Sequence, residues 1–299
     1  MSGLSVEARA ESPLRRLVAE FVDSPSAVAG AVVLVLILAA ALFAPWITPQ
    51  NPYDLAQLDI LDGNLPPGSA GLSGLTYWLG TDDQGRDMLS AILYGLRISL
   101  AVGAGSTLIA LVVGSALGLA AAYYGGRFEG LVMRIVDLQL SFPAILVALI
   151  LLAILGRGVD KVLIALVTVQ WAYYARTVRG AALVEGAKEY VEAARCLALP
   201  DRRILFRHLL PNCLPPVIVV ATVQVANAIA LEATLSFLGV GVPITEPSLG
   251  LLIANGYEYL LSGQYWISFF PGVALVVTIV AINLVGDRLR DVLNPRLQR

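Results

Sequence analysis

The chain has 299 residues, of which 58% are hydrophobic and 14% charged, with a mean hydropathy of +0.77 and a formal net charge of −2. That balance lies outside the soluble globular range and offers no basic excess for a nucleic-acid partner. Two cysteines and one histidine argue against a disulfide framework and against a structural metal site.

In chain order, residues 1–26 are polar and mixed in charge, with Leu14, Leu17, Val18 and Phe21 at spacings of three and four. They read either as a short amphipathic helix on the inner membrane face or as a loosely ordered leader. Ala27 to Phe43 is apolar throughout apart from Gly30. With its edges it meets the roughly 20 residues needed to cross hydrocarbon. Its late onset and the missing small-residue cleavage pattern favour an anchor over a signal peptide. Residues 44–80 are rich in Pro, Gly, Asn and Asp and read as loop. Thr81 followed by Gln84 fits a capping box, which predicts an interfacial helix over Asp82–Tyr94.

Further apolar runs at Ile98–Ala122, Ile135–Leu155, Val162–Ala175, Leu214–Leu238 and Trp266–Val285 predict an all-α, polytopic membrane protein with about six transmembrane helices. Pro143 should kink the third span. Gly114 and Gly118 form a small-xxx-small pair suited to close helix approach. Segments 1–26, 123–134, 176–213 and 286–299 hold sixteen of the twenty basic residues. This positive-inside bias puts both termini in the cytoplasm. The implied organisation is a cytoplasmic segment 1–26, then a first span and external loop over 27–97. A membrane core over 98–285 contains the cytoplasmic loop 176–213, and a tail 286–299 follows.

Asp137, Gln139, Gln170, Gln224, Asn227, Glu232 and Asn283 lie within spans, where an unpaired polar group is costly. They should face the bundle interior or a water-filled path. Asp137 sits three residues from Arg134, which predicts an ion pair. Gln224 and Asn227 share one stripe at i,i+3, and either line a translocation path or make ordinary interhelical hydrogen bonds; Glu232 is a third path candidate.

Catalytic constellations are missing. Neither Lys161 nor Lys188 follows a Gly-x-x-x-x-Gly run, and there is no His-Glu-x-x-His, Gly-x-Ser-x-Gly or Cys-x-x-Cys. Transport, rather than enzymatic chemistry, is the natural reading. The cytoplasmic loop is a charged island: good helix formers run from Glu185 to Leu197, with a Lys188–Glu192 pair at i,i+4. Pro200 should stop this helix and Asp201 cap a second, Arg202–Leu210, which Pro211 would end. Ala193, Ala194 and Ala198 would give this knob a small docking surface, with Glu192 and Arg195 as charged contacts at its edge. Cys196 and Cys213, at the same loop, should be reduced thiols.

The run Glu192-Ala-Ala, with Ala198 six residues on and then His208-Leu-Leu-Pro-Asn212, resembles the EAA loop of inner-membrane permeases in ATP-binding cassette importers. The family's usual glycine falls at Ala198. A narrower resemblance, to the C-type permease subunit of dipeptide, oligopeptide and nickel importers, rests on Tyr77-Trp-Leu-Gly-Thr-Asp-Asp-Gln-Gly-Arg-Asp-Met-Leu-Ser90 and Tyr94-Gly-Leu-Arg-Ile-Ser-Leu100. Tyr123-Tyr-Gly-Gly126, Leu231-Glu-Ala233 and Leu235-Ser-Phe-Leu-Gly-Val-Gly241 also match it, while Leu249-Gly250 departs from a usual Trp-Gly.

The resemblance implies a bacterial inner-membrane location and a homologous B-type permease partner. Two ATPase subunits would bind below and an extracytoplasmic solute-binding protein above. Glu192, Ala193, Ala194, Arg195 and Ala198 would receive the ATPase motion. No cofactor is expected on this chain, since ATP and Mg would belong to the partners. Peptides lead as substrate, with nickel chelates and glutathione as alternatives. A secondary transporter using Glu232 for ion coupling, or a non-transporting scaffold or channel, leaves the loop unexplained.

Overall fold

A computed structural model describes residues 13–72, 74–243, 245–246 and 248–293. Residues 1–12 and 294–299 of the two expected cytoplasmic ends, and the side chain of Leu14, lie outside the described residues. Apart from one two-stranded hairpin and an isolated bridge, the regular secondary structure of the described residues is helical.

Helix α1 (Pro13–Val22) is the amphipathic segment expected near the N-terminus. Helix α2 (Pro25–Leu42) is the first apolar run, begun by Pro25 at its first position and by Ser24, whose hydroxyl accepts from Ala27 N–H at 3.4 Å. A short α3 (Ala44–Ile47) follows. The external segment then forms 3-10 turns and an antiparallel hairpin, β1 (Ser69–Ala70) with β2 (Thr76–Tyr77), pairing Ser69 with Tyr77. Composition indicated loop here, and the tie that organises it is tertiary: Tyr77 O–H donates to Asp62 Oδ2 at 3.0 Å.

The predicted interfacial helix over Asp82–Tyr94 does not form as such. Asp82 Oδ1 instead accepts from the N–H groups of Gln84 and Arg86, both at 2.9 Å, and Gly85 has φ +75°. This side-chain-to-backbone bonding competes with a helical turn. Arg86 Nε closes the loop on Asp82 Oδ2 at 2.6 Å, with both side chains buried. Trp266 Nε1 donates to the Thr81 carbonyl at 3.0 Å from a distant helix. The true cap is Asp87, which accepts from Ser90 N–H at 2.9 Å. From there α4 (Met88–Tyr124) runs unbroken through the second span, about 56 Å at 1.5 Å per residue.

Gly125 and Gly126, both at φ near +60°, turn the chain into α5 (Gly126–Ser141). At Phe142 and Pro143 the expected kink is a full break: α5 and α6 (Ala144–Leu155) meet at 95°. Phe142 is extended, as a residue before proline prefers. Helix α7 (Val159–Gly186) carries the predicted fourth span, then α8 (Glu189–Cys196) and α9 (Asp201–Arg203) form the loop. A π-helical turn, Ile204–Leu209, leads directly into α10 (Leu210–Phe237). Pro211 therefore does not end the second helix of the loop. It lies in the first turn of α10, where its missing N–H is tolerated after the wider i→i+5 turn. Helices α11 (Leu249–Tyr257) and α12 (Trp266–Leu293) complete the chain.

Four helices among the described residues are long and apolar enough to cross a membrane: α2, α4, Asp201–Phe237 and α12; the bent pair α5–α6 counts as a fifth only if its two halves form one broken span rather than a re-entrant loop. Helix α7 is about 42 Å long, but Asp160, Lys161, Arg176 and Arg179 dilute its apolar run. It is instead the centre of the bundle, with Val162, Leu166, Ala172, Tyr174, Ala175 and Val178 fully buried.

The most extensive helix contact is between α4 and α7. Gly114 and Gly118 lie on the α7 backbone at Trp171 and Ala175, so the small-xxx-small pair serves packing inside this chain. A polar pair reinforces it, Thr107 Oγ1 donating to Gln170 Oε1 at 3.1 Å, and Trp171 Nε1 ties α7 to α5 by donating to Gln139 Oε1 at 2.8 Å. Asp137 pairs with Arg176 of α7 rather than with Arg134, because α5 lies along α7 and brings the two charges together. Asn283 is exposed on α12, contrary to the expectation of an inward position.

Replacing Gly118 with Leu should force α4 from α7 and cost roughly 2–3 kcal/mol. Thermal unfolding in detergent should show a clear drop for Gly118→Leu and little change for Gly130→Leu, since Gly130 has nothing within 4 Å of its would-be Cβ.

Candidate functional site

The loop after α7 is a compact knob on a buried base. Lys188 begins α8 in extended conformation, so the predicted continuous helix from Glu185 to Leu197 is interrupted at Ala187 and Lys188. Lys188 Nζ reaches back to Glu185 Oε1 at 2.6 Å instead of forward to Glu192. Val191 and Ala194 face inward and join Leu119, Val178, Ile204, Leu209 and Cys213 in one apolar cluster. Ala194 is therefore core, not docking surface as the sequence indicated. Glu192, Ala193, Arg195 and Ala198 are exposed, as are Leu197 and Phe206 beside them.

Helix α8 ends in a Schellman arrangement. Leu199 N–H donates to the Ala194 carbonyl at 3.2 Å and Ala198 N–H to the Arg195 carbonyl at 2.9 Å. This motif places its C′ residue in the left-handed region, and Ala198 sits there at φ +50°. The methyl group is borne at some steric cost rather than avoided. The capping bonds hold positive φ at a position where the resemblance leads one to expect glycine.

Two tyrosines hold the knob, and neither was among the expected site residues. Tyr190 O–H donates to Glu185 Oε2 at 2.8 Å and accepts from Asn212 Nδ2 at 3.2 Å, tying α8 to the ends of α7 and α10. Burial, then the bond to Glu185, pushes this phenol up to about 12. Partial burial raises the Glu185 carboxyl, but Lys188 and Tyr190 outweigh it and hold it below the ordinary carboxylate range. Tyr123, in the last turn of α4, donates to Asp201 Oδ1 at 2.6 Å, and the Arg195 guanidinium lies 5.6 Å from its ring centroid. Asp201 is the first helical residue of α9, with Pro200 at the cap position, so it does not cap the helix as the sequence suggested; its carboxylate accepts from Tyr123 instead. An aromatic at a predicted span end facing a charged loop was the one available signal.

A groove of about 1090 Å³ runs along α10 between α7, α12 and α1. Asn212 and Glu185 line it near the knob; Val219, Val220 and Val223 form its wall; Gln224 and Asn227 lie about 20 Å further along the helix. Asn227 Nδ2 donates to Gln224 Oε1 at 2.8 Å, which leaves the Gln224 amide N–H groups and the Asn227 carbonyl for another partner. The i,i+3 stripe read from sequence is thus real and borders a cavity. Glu232 does not join it. That side chain is fully buried and accepts from Ser99 and Ser236 hydroxyls, each at 2.8 Å, in a polar knot between α4 and α10.

Residues 114–299 match the family described as binding-protein-dependent transport system inner membrane component. Residues 12–67 match the N-terminal TM domain of oligopeptide transport permease C. The di/tripeptide transport system permease protein DppC of Pseudomonas aeruginosa is 37% identical over 287 residues, covering 96% of this chain and 93% of its own. The glutathione transport system permease protein GsiD of Pectobacterium atrosepticum is 36% identical over 287 residues, covering 96% and 92%. Among solved structures, an inward-facing form of the MetNI methionine ABC transporter aligns with a TM-score of 0.56 at 24% identity. That alignment covers 69% of this chain and 98% of the other, a likeness of fold alone.

The chain therefore belongs to the binding-protein-dependent transport system inner membrane components: it is a multi-pass permease subunit of an ABC importer. Within that class it is a C-type subunit of the peptide, nickel and opine group. Such subunits are non-catalytic, and membership implies a partner ATPase and a solute-binding protein.

Relieving the left-handed alanine by Ala198→Gly should stabilise the knob by roughly 0.5–1 kcal/mol, the released strain less the greater chain entropy of glycine. Thermal unfolding of the purified chain measures it, and a lower midpoint would contradict the assigned cap.

Proposed function

We propose that this chain forms half of the translocation path of a heterodimeric importer for dipeptides or oligopeptides, beside a homologous B-type permease. Six crossings with both termini cytoplasmic give the organisation read from the sequence, with core 98–285 and coupling loop 176–213. Two ATPases bind on the cytoplasmic side, one of them docking at this loop, and the solute-binding protein delivers substrate at the opposite face. Alternating access follows when ATPase closure displaces the knob and α7 and α10 reorient around the groove.

The observation that carries this reading is the groove itself. It extends from the Gln224–Asn227 amide pair to Asn212 and Glu185, which also hold Tyr190 of α8. A path lining and a partner-facing knob thus share residues. Glu192 is exposed, with no ion pair among the described residues, and is the natural contact for a basic or N–H-rich cleft. Ala193 and Ala198 permit close approach beside it. Glu232 is less suited to ion coupling, since both its oxygens are satisfied within the chain; this disfavours a secondary transporter.

Substrate choice is finer. Glutathione and nickel-chelate import are the alternatives, and relatives described for di/tripeptides and for glutathione are almost equally similar. Calorimetric titration of the cognate solute-binding protein with a dipeptide, an oligopeptide, glutathione and a nickel chelate should show tightest binding to a peptide. Binding of only glutathione or the chelate would overturn the peptide assignment.

In the reconstituted complex, Glu192→Ala should lower binding-protein-stimulated ATP hydrolysis roughly tenfold, as expected for a central interface contact. Stimulation and uptake both at the parent level would remove Glu192 from the coupling role.

A further inference from the structure

We infer that Tyr123 is a positioning residue that makes α4 move with the coupling helix α8; the inference rests on the coupling role proposed above. Helix α8 lies against α7 and the π-helical turn, and its backbone scarcely touches α4. Motion delivered at Glu192 would therefore reach α7 and α10 through Tyr190, Glu185 and Asn212, while on α4 it meets only the apolar contact at Leu119 and the glycine seam with α7, so the end of α4 needs a directional polar tie of its own. Tyr123 supplies it. It stands in the last turn of α4, and its ring packs at the edge of the apolar cluster under α8.

The phenol donates to Asp201 at 2.6 Å, and the ring faces the Arg195 guanidinium at 5.6 Å. Arg195 is in the last turn of α8 and Asp201 begins α9, so one aromatic side chain holds both arms of the Ala198 corner. Opposite charges on the two arms engage the ring from above and the hydroxyl from its end. That geometry resists both sliding and lifting of the corner relative to α4. It also divides labour within the motif: Glu192 faces outward with no ion pair among the described residues, whereas Arg195, one turn later, is directed to the span below.

The consequence is that α8 and α4 behave as one body during the transport cycle. Below the corner, α4 is rigidly joined to α7 at Gly114 and Gly118, so a grip at Tyr123 carries the displacement along the whole span.

Pulsed EPR on the complete importer, with cysteine-free partner subunits and a Cys213→Ala background, can test this. One spin label goes on the exposed Cys196 of α8. The second goes on α4 at the exposed Val112→Cys or, in a separate sample, at the opposite end of the bundle at the exposed Leu261→Cys. Distances are compared before and after trapping with MgATP and orthovanadate. In the parent chain the Cys196–Val112→Cys distance should stay fixed while the Cys196–Leu261→Cys distance changes.

With Tyr123→Ala the first distance should change by at least half as much as the second. Tyr123→Phe, which keeps the ring for Arg195 and loses only the donor to Asp201, should give a smaller change and preserves the fold. A first distance that stays fixed in both variants, or that already changes in the parent, overturns the assignment of Tyr123 while leaving the coupling helix intact. A second distance that does not respond to trapping in the parent overturns the coupling role itself, and the inference with it.

Discussion

The close contact of α4 with α7 is the constraint on which the rest depends. Glycine at positions 114 and 118 lets the α4 backbone rest on the α7 carbonyls, and the Thr107–Gln170 bond fixes the two helices in register. Without a hydrophobic drive between helices in lipid, such backbone approach and internal hydrogen bonding are what hold spans together. The contact also sets where the helices end. Tyr123 at the end of α4 and Glu185 at the end of α7 both arrive beneath the coupling loop, and only there can they hold it.

The knob shows how a short exposed element can be held firmly in place. A helix of eight residues has little stability of its own. Here Val191 and Ala194 root it in the bundle core, a Schellman cap with Ala198 in the left-handed region ends it, and two phenols pin its ends to three spans. The π-helical turn that follows adds a residue per turn without breaking the chain, so the loop passes into α10 as one continuous element. Displacement at the loop is then leverage on the helix that lines the groove.

Much of this was legible beforehand. Long apolar runs marked the membrane helices, Ser141-Phe-Pro143 marked a bend, and the spacing of Gln224 and Asn227 placed both amides on one stripe. Errors arose where a side chain had partners the sequence could not reveal. Asp82 looked like part of a helix start but bonds its own backbone and Arg86; Asp137 looked paired with Arg134 but lies against Arg176. Glu232 looked like a path residue, yet two serines, one from another helix, enclose it. Ala194 looked like surface because a small residue in a polar loop has no hydropathic signature of burial.

By itself, the sequence determined the solvent of each segment: hydrocarbon demands long apolar helices, and composition records that demand directly. It also marked the exposed position of Glu192, since a charged loop between spans carries its own pattern. Only the tertiary structure decided which polar groups meet. Those choices depend on helix crossing and register, where a shift of one residue turns a side chain by about 100° around the axis. Tyr123 became a fastening of the loop for that reason: the α4–α7 crossing brings it within hydrogen-bond reach of Asp201, far away in the chain, while Tyr190 joins nearby Glu185 to Asn212 of α10.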